Sequence, residues 1–144
     1  FPCAGADSVW LQCDEDCEAV FIPYDQITKR CEKACLHHSR LVENLFGMMR
    51  QKALALSERV EVLSRRTIRE KLCAFFLLLA MKSGGREVSL PFSYSALGDF
   101  ICVDRSAMMR QLRQMKEEGL IHTEKRKILL TEEFFRLMGI VGKT

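Results

Sequence analysis

The chain of 144 residues has little of what marks an enzyme or a membrane protein. Histidine is scarce, at His37, His38 and His122 only, and there is no His-Glu-x-x-His, no Gly-x-Ser-x-Gly and no glycine-rich phosphate loop. The carboxylate pairs Glu117-Glu118 and Glu132-Glu133 read as a helix end and as surface, so no enzyme is expected. The longest uninterrupted apolar run, Leu72 to Met81, has ten residues, well short of the roughly 18 that span a membrane. No basic leader opens the chain. Phe1 stands where a starting Met would, which leads us to expect a fragment or a processed chain of something longer. Internal repeats and low-complexity segments are absent. The seven cysteines are an odd number in a sequence of intracellular character, which argues against a full disulfide framework and for a cytoplasmic protein.

Hydrophobic residues make up 48% and charged residues 28%, a globular composition. A chain this long forms one domain burying about two thirds of its unfolded surface, or two small ones. The net charge of +3 hides an asymmetry. Residues 1–35 carry three basic side chains (Lys29, Arg30, Lys33) against seven acidic ones, a net −4. Residues 36–144 carry 19 against 12, a net +7. An acidic front and a basic rear predict two modules, with any polyanionic partner meeting the second.

The front reads as β. Ser8-Val9-Trp10-Leu11-Gln12-Cys13 and Cys17-Glu18-Ala19-Val20-Phe21-Ile22 flank the acidic turn Asp14-Glu15-Asp16, a spacing that suits a hairpin. Two strands alone are marginal, so the rest of their sheet is expected outside this chain. Pro23 ends the second strand, and Asp25 reads as the N-cap of a short helix to about Ala34. From Ser39 to Leu63 the pattern becomes a heptad. Val42, Phe46, Met49, Ala53, Leu56, Val60 and Leu63 alternate steps of four and three, and all are apolar. So narrow a stripe on a helix of about 25 residues, roughly 37 Å long, marks a seam against another helix. The chain has no second long helix to pack antiparallel, which favours a parallel homodimer over a helix packed on its own domain.

Ser64-Arg65-Arg66 breaks the seam. Thr67-Ile68-Arg69-Glu70 is a capping box, opening a core helix through Leu72, Phe75, Phe76 and Leu79 to about Lys82. Gly84-Gly85 is a turn, and Glu87-Val88-Ser89-Leu90 a short strand stopped by Pro91. Two short helices follow. Ser93 caps the first, which presents Ala96, Leu97, Phe100 and Ile101 and keeps small Gly98 where a neighbour must come close. Cys102-Val103 turns the chain. Asp104 caps the second helix, from Arg105 to about Glu118, with a core stripe of Met108, Leu112 and Met115. Gly119 ends it. Ile121-His122-Thr123-Glu124 and Lys127-Ile128-Leu129-Leu130 then read as a hairpin turning at Lys125-Arg126.

Helix, tight turn, arginine-led helix and basic hairpin make a winged helix-turn-helix pattern. The exposed face of the second helix carries Arg105, Ser106, Met109, Arg110 and Arg113. A helix of this width fills the major groove, where guanidinium groups pair with guanine O6 and N7. Ser93, Ser95 and the Lys125-Arg126-Lys127 wing are expected to touch phosphates, which positions a protein without reading sequence. The competing reading is a bundle of the same shape that binds protein, or a solvated face.

Thr67-Ile68-Arg69-Glu70-Lys71-Leu72, Leu90-Pro91-Phe92-Ser93, Val103-Asp104-Arg105-Ser106-Ala107 and Lys116-Glu117-Glu118-Gly119-Leu120-Ile121 resemble the C-terminal half of Crp/Fnr-family bacterial transcription regulators. The resemblance covers about residues 8–130 and is strongest from Thr67 onward. It implies a mainly α fold with a small β component. Residues 1–35 would be the remnant of a cyclic-nucleotide-binding-like β-roll, 36–64 a long dimerisation helix, and 65–144 a winged-helix DNA-binding domain. The implied partners are a pseudo-palindromic DNA site, a second copy of the chain and RNA polymerase. Arg105, Ser106 and Arg110 match the family's base-contacting positions. Three departures stand out. Asp7-Ser8 occupies the place where cyclic-AMP-receptor members hold the cyclic phosphate with an Arg, and an Asp repels it. Leu56-Ser57 replaces a Thr-Ser pair that faces the purine. Cys102 replaces a turn Gly, and it is strained if the turn needs a positive φ. The expected signal is therefore something other than a cyclic nucleotide.

Cys13/Cys17 and Cys31/Cys35 are two Cys-x3-Cys pairs, the first across a hairpin turn and the second one helical turn apart, with His37 and His38 just beyond. Such a set could hold zinc or an iron–sulfur centre, act as a redox switch, or consist of incidental thiols. Cys73 and Cys102 read as core. The runner-up function is accordingly a thiol- or metal-responsive interaction module that does not bind DNA.

Overall fold

The structure, a computed structural model, describes residue 13 and residues 16–28 and 36–140. It divides into two compact units, Phe1–Gly47 and Met48–Thr144. In the first, the expected strand at residues 17–22 does not form, and Val20 and Phe21 stand exposed. A strand is held by its neighbour's hydrogen bonds rather than by its own sequence, and two β-rich segments do not make a stable pair alone. Residues 8–12, which belong to the other expected strand, lie outside the described residues. Helix α1 (Tyr24–Thr28) starts one residue before Asp25, with the Gln26 N–H bonded to the Pro23 carbonyl at 2.9 Å. Asp25 thus sits inside the first turn rather than capping it. There its carboxylate still faces the positive end of the helix dipole.

Helix α2 (Leu36–Leu63) has 28 residues and is about 42 Å long. It begins three residues before the expected Ser39 and ends where the heptad does. Its apolar seam is largely bare: Phe46 is 67% exposed, Met49 57%, Leu56 62% and Val60 65%. Ala53 is exposed too, and Val42 and Leu63 are half-buried.

The second unit holds α3 (Ile68–Ser83), β1 (Glu87–Ser89), α4 (Tyr94–Phe100), α5 (Arg105–Glu117), β2 (Ile121–Glu124), β3 (Lys127–Leu130) and α6 (Glu132–Leu137). Local signals set most of these boundaries. The Thr67 Oγ1 accepts from the Glu70 N–H at 3.2 Å, while the Glu70 carboxylate accepts from the Thr67 and Arg66 N–H groups at 3.0 and 3.1 Å. That is the expected capping box, and it satisfies donors a helix start would otherwise leave bare. Gly84 closes α3 in the left-handed conformation, φ 68°.

The strands form one antiparallel sheet in the order β1-β3-β2, with Val88 opposite Ile128 and Glu124 opposite Lys127. The hairpin turns at Lys125-Arg126, as the sequence predicts. The pairing of β1 with β3 closes a longer loop, and no local signal encodes it. Phe76, Leu97, Ile101, Met108, Met115, Ile121 and Ile128 are fully buried in a single core beneath the sheet and helices. Helix α6 was not anticipated. Thr131 caps it, accepting from the Phe134 N–H at 3.3 Å, and Phe134 enters the core. The Arg69 guanidinium grips the Glu118 carboxylate with two hydrogen bonds, at 3.0 and 2.5 Å, tying the first turn of α3 to the end of α5. Among the described residues no helix is long and apolar enough to cross a membrane.

Candidate nucleic-acid interface

The Ser93 hydroxyl accepts from the Ala96 N–H at 3.3 Å and so starts α4. Behind the helix, the rings of Phe75, Phe92 and Phe100 pack with centroids 5.3–5.8 Å apart, fixing its height above α3. At its far end the chain must reverse within three residues. Gly98 makes this possible: a Cβ there would lie 3.2 Å from the Val103 carbonyl oxygen and 3.7 Å from the Arg105 Cα. The Val103 N–H closes the turn on the Gly98 carbonyl at 3.0 Å, and the Lys71 ammonium donates to the Ile101 carbonyl at 3.0 Å.

Cys102 takes the left-handed conformation at the apex, φ 54°. Its side chain is exposed, which corrects the expectation of a core cysteine; Cys73 is buried as expected. An apolar sequence context favours the core, but a positive φ at the apex turns the side chain outward. A left-handed non-glycine residue is strained by about 1–2 kcal/mol. Glycine relieves that strain but gains freedom in the unfolded chain, by about 0.4–1 kcal/mol. Cys102→Gly is therefore expected to stabilise the protein by up to about 1 kcal/mol, read as a higher urea midpoint. A lower midpoint would show that the thiol has a packing role.

Asp104 caps α5. Its Oδ1 accepts from the Ser106 hydroxyl at 2.5 Å and from the Ala107 N–H at 2.9 Å, and these bonds hold its carboxyl below the ordinary range. Glu70 is lowered by the Thr67 and Arg66 N–H groups, and Glu118 by Arg69. In each case the unfolded chain binds the proton more readily, so stability falls as pH drops. These three contributions are complete above about pH 4.5 and are lost as pH falls through the lower, folded values. The urea midpoint should therefore hold from pH 7 to 5 and drop below about pH 4. Glu70→Gln should remove part of that acid dependence; an unchanged profile would refute its share.

With Met108, Leu112 and Met115 buried, α5 turns Arg105, Ser106, Met109, Arg110 and Arg113 outward. Among the described residues none of these arginines forms a salt bridge. The Ser106 hydroxyl is already committed to the Asp104 cap, so toward a partner it is left as an acceptor. Ser93 and Ser95 are exposed at the start of α4, and Lys125 and Arg126 at the hairpin tip. Lys127 differs from its neighbours: its ammonium sits 2.9 Å from the Glu87 carboxylate, which pushes its pKa up and partly neutralises it. The helix and the hairpin meet at a cleft of about 150 Å3 lined by Tyr94, Met109, Leu112, Arg113, Lys116 and Thr123. The structure thus gathers the α4 start, the outer face of α5 and the hairpin around one cationic surface. Tyr94 was missed from sequence; an aromatic hydroxyl directly after a helix cap, in need of a partner, was the available signal.

The other sequence candidates lie elsewhere. Cys13 and Cys17 are exposed free thiols with sulfurs 2.9 Å apart. The Cys13 thiol raises the pKa of Cys17. Cys31 and Cys35 lie outside the described residues. No group of three or more His, Cys, Asp or Glu side chains arranged to hold a metal ion occurs among the described residues.

Residues 70–133 match the Crp-like helix-turn-helix domain family. Among solved structures, FixK2 from Bradyrhizobium japonicum is similar at 20% identity and a TM-score of 0.58, over 74% of this chain and 54% of its own length. TTHB099, a CRP-family transcriptional regulator from Thermus thermophilus, is similar at 23% identity and a TM-score of 0.50, over 76% of this chain and 56% of its own. The chain thus spans little more than half the length of either structure, and likeness at this identity establishes the fold. No curated protein sequence matches it.

Proposed function

We propose, from the premise that residues 70–133 are a Crp-like helix-turn-helix domain in a chain with the fold of a Crp/Fnr-family regulator, that this protein regulates transcription by binding DNA in a sequence-specific manner. It is a regulator and not an enzyme. The observation that carries the reading is the outer face of α5, where Arg105, Arg110 and Arg113 project free of ion pairs among the described residues, beside a basic hairpin. Arg105 and Arg110 read base edges, and Lys125 and Arg126 neutralise phosphates. Two copies join through the α2 seam of Val42, Phe46, Met49, Ala53, Leu56, Val60 and Leu63. They set their recognition helices about 34 Å apart on a pseudo-palindromic site. RNA polymerase is the further partner.

Control comes from an effector or a redox signal received in the N-terminal segment. It is passed along α2 as a rotation of the DNA-binding domain about Ser64-Arg65-Arg66. The contacts that such a rotation must break are the Glu58–Lys82 ion pair at 2.5 Å, the Arg59 guanidinium over the Phe100 ring at 5.2 Å, and buried Val62. The adjacent Cys13 and Cys17 sulfurs favour the redox arm. As metal ligands the two thiols would supply only part of the usual four.

Selection from a random duplex pool, with the full-length protein reduced and then oxidised, tests the reading. A two-fold symmetric site should be enriched, and a difference between the two runs would make the cysteines the sensor. Interaction with protein alone, with no enriched duplex in either run, would favour a thiol-responsive interaction module.

A further inference from the structure

We propose that Tyr94 is a positioning residue for the basic hairpin, locking its tip to the helix-turn-helix so that Lys125 and Arg126 present their charge at a fixed place. This deepens the DNA-binding reading and rests on it. Tyr94 is the first residue of α4 and is half-buried. Its phenol O–H donates to the Lys125 carbonyl at 3.0 Å, across 31 residues of chain. Lys125 holds the left-handed conformation, φ 52°, without being glycine. The other carbonyl of the two-residue turn, that of Arg126, accepts from the Leu90 N–H at 2.8 Å. Both turn carbonyls are therefore held from outside the hairpin, one by α4 and one by the residue following β1. A phenol is a donor at neutral pH, and burial pushes the Tyr94 pKa further up.

The geometry has an electrostatic consequence. Lys125 and Arg126 form no ion pair among the described residues, so their value to a polyanion depends on where the backbone carries them. A hairpin tip free to swing spreads those charges over many positions, and ordering it on binding costs conformational entropy. The same Tyr94 ring lines the cleft against Met109 and Arg113 of α5. One side chain thus sets the distance between the tip and the recognition helix.

The test is Tyr94→Phe in the full chain, which keeps the ring and removes the hydrogen bond. Affinity is measured across a salt series for the selected duplex and for a random-sequence duplex. A neutral hydrogen bond of this kind is worth a factor of about 2 to 10. Both affinities should therefore fall by that factor, equally, with the salt slope shallower by about one lost phosphate contact. In a Lys125→Ala/Arg126→Ala background Tyr94→Phe should add no further loss, because it acts through those charges. A full additional loss in that background, or an unchanged salt slope, overturns the proposal. Amide hydrogen exchange on the free protein provides a readout that needs no DNA. Tyr94→Phe should speed exchange at residues 125–127 while α3 stays protected, and unchanged exchange there overturns the proposal whatever the DNA result. Salt-dependent duplex binding absent from the unmodified protein would defeat the DNA-binding reading alone.

Discussion

Leu56→Glu combined with Val60→Glu is expected to leave the chain monomeric and to weaken binding to a two-fold symmetric duplex by at least about 100-fold. Both side chains belong to the α2 seam and are about two-thirds exposed in the single chain, at 62% and 65%. Nothing in the second unit's core depends on them, so its unfolding midpoint should move little. In a parallel pair of helices the substituted carboxylates face their own copies across a desolvated seam. Removing each charge from water there costs several kcal/mol before their mutual repulsion is added. A monomer reaches only one half-site and loses the effective concentration that the second recognition helix enjoys in a dimer. Sedimentation velocity and duplex binding decide the matter together. A dimer that survives both glutamates places the interface off this seam, and a monomer that binds as tightly as before removes the need for two-fold recognition.

The long helix was legible because a heptad is a one-dimensional signal, and most of its apolar positions stand exposed on α2. From Thr67 onward the reading was good for a similar reason. Capping boxes, left-handed glycines and two-residue turns are decided by neighbours within four positions, as Thr67 with Glu70 and Asp104 with Ala107 show. Where a partner distant in sequence is required, the reading failed or stayed silent. Residues 17–22 have strand-like composition but join no sheet among the described residues. The β1–β3 register and the Arg69–Glu118 clasp connect segments that no local pattern relates.

Two misses were not caused by distance. Glu132 and Glu133 are at the surface as expected, but with Thr131 they also carry a helix-start signal, a capping hydroxyl followed by first-turn carboxylates. Cys102 reads as core from sequence, yet it stands exposed at the apex of a tight turn, in the left-handed conformation. On the candidate surface, the arginines of α5 are outward, as their spacing against Met108, Leu112 and Met115 predicts. What sequence could not show was which charges are already engaged. Glu87 partly offsets Lys127, and Asp104 engages the Ser106 hydroxyl, so among the described residues the hairpin-tip cations without an ion pair are Lys125 and Arg126.

That distinction sharpens the expectation for Arg105→Ala. Arg105 opens α5 immediately after the turn, exposed and free of ion pairs among the described residues, at the end of the helix that on the proposed reading enters a groove first. A bidentate contact to guanine contributes about 1–3 kcal/mol of discrimination, a factor of about 5 to 150 between the preferred and the wrong base. The variant should lose that factor on the selected duplex and much less on random sequence, with preference relaxed at one symmetric pair of positions. Arg126→Ala should instead weaken every duplex alike and flatten the salt slope by about one contact. Lys127→Ala should do less than Arg126→Ala, since Glu87 already offsets its charge. Equal loss for Arg105→Ala on all sequences would demote it to a phosphate contact and shift base reading to Arg110 and Arg113, one to two turns further along the same exposed face.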